Sequence, residues 1–183
     1  IAKNNASFEP FNPKSSFDRL AVAVCRYFWN RYFLNRIKNS LDFIGLNYYF
    51  HHGIKFPFLV KKNDKTVSDL GWEIFPEGIY HVLLELKKYR LPVYITENGV
   101  ADAEDKLRKN FIEDHLFQIG RAIKQGIDVR GYFHWSLIDN FEWDKGFGPR
   151  FGLVEIDYET MERKIRPSAR EYAKISQGNK LIQ

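Results

Sequence analysis

Apolar residues along this chain follow two alternating patterns, one with helical spacing and one made of short continuous runs. Spacing of three and four residues indicates an amphipathic helix, whereas a short apolar run between turn residues indicates a buried strand. The predicted helices span residues 16–38, 76–89, 106–125 and 167–178. The predicted strands span residues 42–49, 92–96 and 129–136, after a strand end and loop over residues 1–15. This order predicts βαβ units and an α/β fold with a parallel sheet.

The first predicted helix has the clearest apolar stripe. Ser16 is predicted to be its N-cap residue, and Asp18 lies in the first turn, where a negative charge is favourable. We expect the stripe to pack in the core. Its members are Phe17, Leu20, Ala21, Val24, Cys25, Phe28, Tyr32 and Phe33.

Composition and charge narrow the class of protein. The chain has 183 residues, 44% of them hydrophobic, which suits one sizeable core and not a disordered chain. Its net charge of +5 is spread along the chain, unlike the basic face of a nucleic-acid-binding protein. No apolar run approaches the ~18 residues of a membrane helix, and Cys25 is the only cysteine. We therefore expect a cytoplasmic protein with neither a membrane nor a nucleic-acid partner.

The sequence gives no sign of a cofactor. It has no cluster of His, Cys and carboxylate residues with metal-ligand spacing, and no glycine-rich phosphate-binding loop. An oxidoreductase or nucleotide-binding α/β domain would need such a loop. We predict that the protein uses neither a metal nor an organic cofactor.

Polar and aromatic side chains follow the predicted strands at the points where they end. Asn47 and Tyr49 lie at the end of one strand, Glu97 directly follows the next, and Trp135 lies at the end of the last. Parallel α/β folds place their sites at the carboxyl ends of strands. A carboxylate there is either catalytic or a capping or ion-pairing group, and its position leaves both roles open for Glu97.

The segment 131–152 adds a second carboxylate between two indole rings. Glu142 stands beside Trp143 and seven residues after Trp135. Carboxylates bind sugar hydroxyls, and indole faces stack on the C–H face of a sugar, so the segment suits a hexose pocket. The alternative is a pair of packed tryptophans with a surface glutamate.

Four motifs then resemble the family 1 glycoside hydrolases, which include β-glucosidases and β-galactosidases. They are DFIGLNYY at 42–49, YITENG at 94–99, GYFHWSLIDNFEW at 131–143 and GFGPRFGLVEID at 146–157. The stretches GWEIFPEG at 71–78 and RPSAREY at 166–172 also fit, so the resemblance covers nearly the whole chain. It implies a (β/α)₈ TIM barrel that hydrolyses terminal nonreducing β-D-glycosyl residues with retention of configuration.

The resemblance also implies roles for individual residues. Glu97 matches the nucleophile that forms the glycosyl-enzyme intermediate, and Tyr49 matches the tyrosine that hydrogen-bonds it. Asn47 lies on the same strand end as Tyr49 and is expected to contact substrate. The remaining predicted substrate-binding residues are Trp135 beneath the sugar, Glu142 and Trp143 at its outer hydroxyls, and Phe151 near its exocyclic group.

One part of the family pattern is missing. The general acid/base of the family lies in an Asn-Glu-Pro motif, and this chain has only Phe8-Glu9-Pro10, which better fits a later segment of the family. We therefore expect residues 1–183 to form the C-terminal part of one barrel domain, from the end of strand five through strand eight. Ile1 in place of an initial Met also indicates a processed, trimmed or incomplete chain.

Several readings of such a chain stay open. The expected partner is the N-terminal half of the barrel, or a second copy of the chain that covers the open sheet. Without its acid/base the isolated chain is expected to be inactive, and the alternative function is a truncated sugar-binding remnant. The sequence leaves glucosides, galactosides and 6-phospho-glycosides open, since Lys145 and Arg150 lie near Glu142. The variable, polar stretch 51–70 is expected to contact the aglycone.

Overall fold

A computed structural model describes residues 1–60 and 65–181, in which strands and helices alternate. The strands are β1 (Ala2–Pro10), β2 (Ile44–Lys55), β3 (Phe58–Val60), β4 (Val93–Asn98), β5 (Val129–His134), β6 (Val154–Ile156) and β7 (Arg163–Ile165). The helices are α1 (Ser16–Cys25), α2 (Tyr32–Ile37), α3 (Pro76–Leu86), α4 (Arg108–Lys124) and α5 (Pro167–Gly178). The predicted α/β alternation is therefore confirmed.

Four parallel strands form the main sheet in the order β1-β2-β4-β5, which is also their order along the chain. Their carboxyl ends consequently meet at one edge of the sheet. The short strand β3 adds an antiparallel hairpin to β2, and β6 pairs with β7 in a separate ribbon. Among the described residues, β1 and β5 each have a neighbour on one side only, so both outer edges of the parallel sheet are open.

The core lies between this sheet and the helices α3 and α4. Ile44 and Leu46 of β2 and Val93 and Ile95 of β4 are almost completely buried in it. Alternate residues of a strand point to the same face, so these pairs turn one face of each strand toward the helices. Pro76 opens α3 at a position where its missing N–H costs nothing. In β2 this spacing leaves Asn47 and Tyr49 for the opposite face, whereas in β4 the register shift between Ile95 and Glu97 turns Glu97 to that face.

The predicted burial of the first helical stripe is wrong for most of its members. Phe17, Leu20 and Phe28 are 70%, 64% and 63% exposed, whereas Ala21 and Cys25 pack against a small core formed with β1. Two physical reasons apply. A π-helical turn over Arg26–Arg31 interrupts the regular spacing, and the described residues supply no layer over the outer face of α1.

Three further boundaries differ from the prediction. The N-cap of α1 is Ser15 and not Ser16, because the Ser15 hydroxyl accepts the backbone N–H of Asp18. β1 is a full nine-residue strand, paired with β2 along its length. β2 continues to Lys55, past the predicted strand end at Tyr49, since cross-strand hydrogen bonds with β3 satisfy its backbone in a hairpin. Residues 61–64 of the polar stretch 51–70 lie outside the described residues.

No helix in the described ranges is both long enough and apolar enough to cross a membrane.

Candidate active site

The carboxyl end of β4 carries Glu97, held by a tyrosine of the neighbouring strand. The Tyr49 hydroxyl donates a 2.9 Å hydrogen bond to Oε2 of Glu97. Burial, together with the charge of Glu97, raises the pKa of Tyr49 far above its ordinary value. The phenol therefore keeps its proton and acts only as a donor toward the carboxylate. An anionic oxygen with one fixed donor is suited to nucleophilic attack through its other oxygen.

The residues before and after Glu97 are bonded to the neighbouring strands. Oγ1 of Thr96 donates a 2.6 Å hydrogen bond to Oδ1 of Asn47, which leaves the Asn47 amide nitrogen as its remaining donor. Asn98 bonds to both β2 and β5. A Cβ at Gly99 would lie 1.8 Å from the Trp135 carbonyl oxygen, so only glycine permits this close approach. Sequence reasoning identified Glu97 and Asn47 but gave no role to the Thr96 hydroxyl.

A second carboxylate lies near the end of β5. Oε1 of Glu142 accepts hydrogen bonds from the Trp135 indole N–H at 3.0 Å and from the Asn140 amide at 2.7 Å. Oε2 receives none from the described residues. The indole and the carboxylate are thus fixed relative to each other, and one carboxylate oxygen stays available to a hydroxyl group. Asn140 was missed from the sequence, although its position between Trp135 and Glu142 could have indicated it.

The other two predicted ligands differ in exposure. Phe151 is 1% exposed and packs beneath the site, with ring centroids 6.4 Å from Tyr49 and 6.1 Å from Trp72. Trp143 is 85% exposed and forms no aromatic contact within the described part of the chain. Trp72 also packs on Tyr49 and was not predicted, although it lies in the motif at 71–78. The ring of Trp143 is therefore available to an external partner or ligand.

Within residues 1–60 and 65–181 no cluster of His, Cys, Asp or Glu is arranged to hold a metal ion. A cavity of about 610 Å³ lies elsewhere, between α4, β5 and α5, and none of the seven predicted site residues lines it. Carboxylates, a phenol, amides and indoles at the ends of parallel strands define a site with the chemistry needed to bind and attack a sugar.

Comparison with known proteins identifies the class. The sequence model of glycosyl hydrolase family 1 matches residues 30–181, so the chain belongs to that family. A β-galactosidase of Sulfolobus acidocaldarius is 42% identical over 160 residues, which cover 78% of this chain and 33% of that protein. β-Glucosidase A of Thermotoga maritima is 40% identical over 165 residues, covering 81% of this chain and 37% of that protein.

Solved structures agree with this assignment. A β-glycosidase from Pyrococcus horikoshii superposes with a TM-score of 0.92 at 37% identity, covering 100% of this chain and 49% of that one. A family 1 β-glucosidase from Thermotoga maritima gives a TM-score of 0.92 at 35% identity, with coverages of 98% and 51%. The predicted family resemblance is confirmed. The chain spans about a third of the curated relatives' length and about half of these solved chains.

Proposed function

We propose that residues 1–183 are the C-terminal part of a retaining β-glycosidase domain that folds as a (β/α)₈ barrel. The chain would supply the end of the fifth strand through the eighth. Two observations support this arrangement: four parallel strands in sequence order with two open edges, and coverage of about half of the matching glycosidase structures. Four βα units from a preceding segment would pair with both edges and close the barrel.

The observation that carries the proposed activity is the hydrogen bond between Tyr49 of β2 and Glu97 near the carboxyl end of the adjacent parallel strand β4. In the first step, Oε1 of Glu97 attacks the anomeric carbon. The bond from that carbon to the aglycone oxygen breaks, and a second carboxyl group protonates the leaving oxygen. Water then attacks the same carbon, its proton passes to the second carboxylate, and the bond to Glu97 breaks. Two inversions restore the β configuration.

We expect the second carboxyl group to come from outside the described residues. Glu9 is the one acidic residue of the chain's Phe-Glu-Pro segment, but it lies too far along β1. Asn4 of β1 pairs with Asn47, which pairs with Glu97, and Glu9 lies five residues beyond Asn4. That is roughly 16 Å along the strand, whereas retaining enzymes need about 5–5.5 Å between carboxyl groups. His51 and His81 also flank Glu9, at 3.5 and 3.6 Å.

The sugar at the nonreducing end of the substrate would bind between β2 and β5. Asn47 donates to a ring hydroxyl, Glu142 accepts from the outer hydroxyls, and Trp135 lies beneath the sugar. Trp143 and Phe151 complete this subsite on its outer and inner sides. Terminal β-D-glucosides and β-D-galactosides are the proposed substrates, in keeping with the names of the relatives. A Thermotoga maritima β-glucosidase similar to this chain binds glucoimidazole and deoxynojirimycin.

A second candidate function is sugar binding without hydrolysis. The pair of Trp135 and Glu142 is already fixed within this chain and needs no other segment to form. A truncated chain that covers its open sheet by self-association would keep this pair and lack the proton donor.

The first experiment isolates the native species that contains this chain and measures its mass, subunit composition and β-glucosidase activity. We then compare wild type with Glu97→Gln, and with Glu155→Gln as a control at an exposed carboxylate on β6. Removal of the nucleophile is expected to lower kcat by roughly 10³-fold or more, while the control stays unchanged. A fluoro-glycoside that traps the intermediate should label Glu97, as read by peptide mass spectrometry.

The outcomes separate the two candidates. Activity in a species that includes the preceding half, lost in Glu97→Gln, supports the retaining glycosidase. Wild-type rates in Glu97→Gln, or labelling of another residue, would remove Glu97 from its role. A self-associated chain that binds glucose analogues and turns over no glucoside, even one with a dinitrophenyl leaving group that needs no protonation, favours the binding remnant.

A further inference from the structure

Asn98, the residue after Glu97, is completely buried and joins three strands. Its amide Nδ2 donates to the Tyr48 carbonyl of β2 at 2.8 Å, and its Oδ1 accepts from the Tyr132 hydroxyl of β5 at 3.0 Å. The Asn98 carbonyl also accepts the backbone N–H of Trp135 at 2.9 Å. One residue of β4 is therefore fixed to both of its neighbouring strands.

These bonds occur where the regular backbone pairing fails. The register between β2 and β4 shifts between Leu46 and Asn47, and the register between β4 and β5 shifts between Ile95 and Asn98. Glu97 follows the first irregularity and still pairs with Asn47 of β2, but it lies inside the second, where it has no paired residue in β5. The side chain of Asn98 adds one hydrogen bond to each of the two neighbouring strands at this point.

The direction of this hydrogen-bonded chain is determined by chemistry. A carbonyl oxygen only accepts, so Asn98 must donate with its Nδ2 and accept with its Oδ1, and Tyr132 must be the donor. Burial raises the pKa of Tyr132 well above its ordinary value, which keeps that proton in place. Nδ1 of His134 lies 3.4 Å from the same hydroxyl, and burial lowers the pKa of His134 to about 3. A neutral His134 with its proton on Nδ1 completes the chain.

We propose that Asn98 is a positioning residue that holds Glu97 at the distance required for attack on the anomeric carbon. This inference rests on the proposed glycosidase function. Reacting atoms must be held within a narrow range, and a displacement of about 1 Å costs on the order of 10²-fold in rate. Asn98 points away from the substrate side, so its loss should affect the attack and leave substrate binding nearly unchanged. A drop in kcat without a matching rise in KM is the expected result.

The experiment uses the native species with Asn98→Ala, Asn98→Asp and Tyr132→Phe. Asn98→Asp keeps the acceptor for Tyr132 but turns a carboxylate oxygen toward the Tyr48 carbonyl. Tyr94→Phe is the matched control, because it removes a phenol from the opposite end of β4. Active sites are counted by the burst of a dinitrophenyl glucoside, so that kcat refers to folded, competent sites and not to total protein.

We expect Asn98→Ala to lower kcat per active site by about 10- to 100-fold, with KM within about threefold of wild type. The rate at which a fluoro-glycoside labels Glu97 should fall in parallel. Tyr132→Phe should also lower kcat, but by a smaller factor. The double variant Asn98→Ala/Tyr132→Phe should lose less kcat than the product of the two single fold-losses, since both substitutions remove the same hydrogen bond. Tyr94→Phe should match wild type.

Unchanged kcat per active site in Asn98→Ala, with an active wild type and an inactive Glu97→Gln, overturns the inference and leaves the proposed function standing. Full activity in Glu97→Gln would instead contradict the proposed function. If Asn98→Ala fails to fold, the kcat and labelling rate of Tyr132→Phe decide whether the positioning role holds. Lowered kcat and slowed labelling in that variant support the positioning role, and wild-type values reject it.

Discussion

The Tyr49 hydroxyl and Oε2 of Glu97 are joined by a 2.9 Å hydrogen bond across two adjacent parallel strands. This bond leaves one carboxylate oxygen free of Tyr49 and fixes the plane of the carboxylate. It also makes the Tyr49 phenol a permanent donor, because burial and the Glu97 charge raise the pKa of Tyr49 far above its usual value. Both features can be tested with one substitution.

Tyr49→Phe removes the hydroxyl and keeps the ring. Hydrogen bonds to charged groups contribute about 1.5–3 kcal/mol, so kcat/KM on a β-glucoside should fall by roughly 10- to 100-fold. The alkaline limb of the pH–rate profile should stay where it is, since Tyr49 is too weak an acid to titrate there. Steady-state kinetics across the pH range provide the measurement. A profile whose alkaline limb disappears in Tyr49→Phe would contradict this assignment of the proton.

The second prediction concerns phosphorylated substrates. Arg150 donates to Asp139 and to the Ile156 carbonyl, and Lys145 is paired with Asp144, so both nearby cations are already engaged. The Glu142 carboxylate would repel a phosphate group on the sugar. We expect the native species to prefer a β-glucoside over the 6-phospho-glucoside by at least about tenfold in kcat/KM, as judged by parallel assays.

Glu142→Gln tests the cause of that preference. The amide can still contact a hydroxyl, but it no longer repels an anion. The variant should therefore have a higher KM for the neutral glucoside and a smaller kcat/KM preference for the glucoside over the 6-phospho-glucoside. Glu159→Gln, at an exposed position, serves as the control. A 6-phospho-glycoside favoured by wild type would show that the anion is bound by groups outside the described residues.

Much of the fold could be predicted because its signals are local. Period and length separated helices from strands, and Glu97 and Trp135 were correctly placed near the ends of β4 and β5, whereas Asn47 lies within the longer strand β2. The exposure of Phe17 and Leu20 could not be predicted, because the periodicity of a helix does not reveal whether another layer covers each face. The paired strand β3 was missed for a similar reason, since its register depends on long-range pairing.

The residues of the candidate site could be predicted only in part. A carboxylate directly after an apolar strand stands out in the sequence, so Glu97 could be predicted as a candidate, and the family resemblance supplied the predicted roles of Tyr49 and Glu142. The contacts of Thr96 and Asn98 depend on irregularities in strand register. No hydrophobic period records where a ladder shifts by one residue, so these contacts cannot be predicted from the sequence.

The third prediction concerns the buried carboxylate of Asp139. Its two oxygens accept from the Arg166 guanidinium at 3.0 and 3.2 Å, and from the backbone N–H of Gly152 at 2.8 Å. These bonds hold the segment that carries Glu142 against Gly152 and Arg166. Asp139→Asn leaves the Arg166 charge buried without its partner, which should lower the free energy of unfolding by about 3–5 kcal/mol. Urea denaturation followed by tryptophan fluorescence measures the change.

A double-mutant cycle shows whether the pair acts as a unit. Arg166→Met alone should also be strongly destabilising, because it leaves the Asp139 charge buried. Asp139→Asn combined with Arg166→Met should cost clearly less than the sum of the single changes. Losses that simply add, or a loss below about 1 kcal/mol for Asp139→Asn, would mean that the two side chains are stabilised independently.

The last prediction is a pH dependence of stability at His51. Its Nδ1 lies 2.9 Å from Glu73 and its Nε2 lies 3.5 Å from Glu9, with His81 on the far side of Glu9. Burial lowers the pKa of His51, but Glu9 and Glu73 outweigh that effect and raise it above its ordinary value. The stabilisation from the charged imidazole is therefore fully present below about pH 6.5 and is lost as the pH rises through the raised folded-state value.

His51→Gln isolates this contribution, because the buried His115 and His134, whose lowered pKa values act in the opposite direction, are unchanged in both proteins. Wild type should exceed the variant in unfolding free energy by more at about pH 5.5 than at about pH 8.5. Urea titrations at both values supply the difference. In a Glu73→Gln background the pH dependence of that difference should shrink, since one of the two charges that raise the pKa is gone. A difference that is constant with pH would show that folding does not shift the pKa of His51, and a larger difference at alkaline pH would show that folding lowers it.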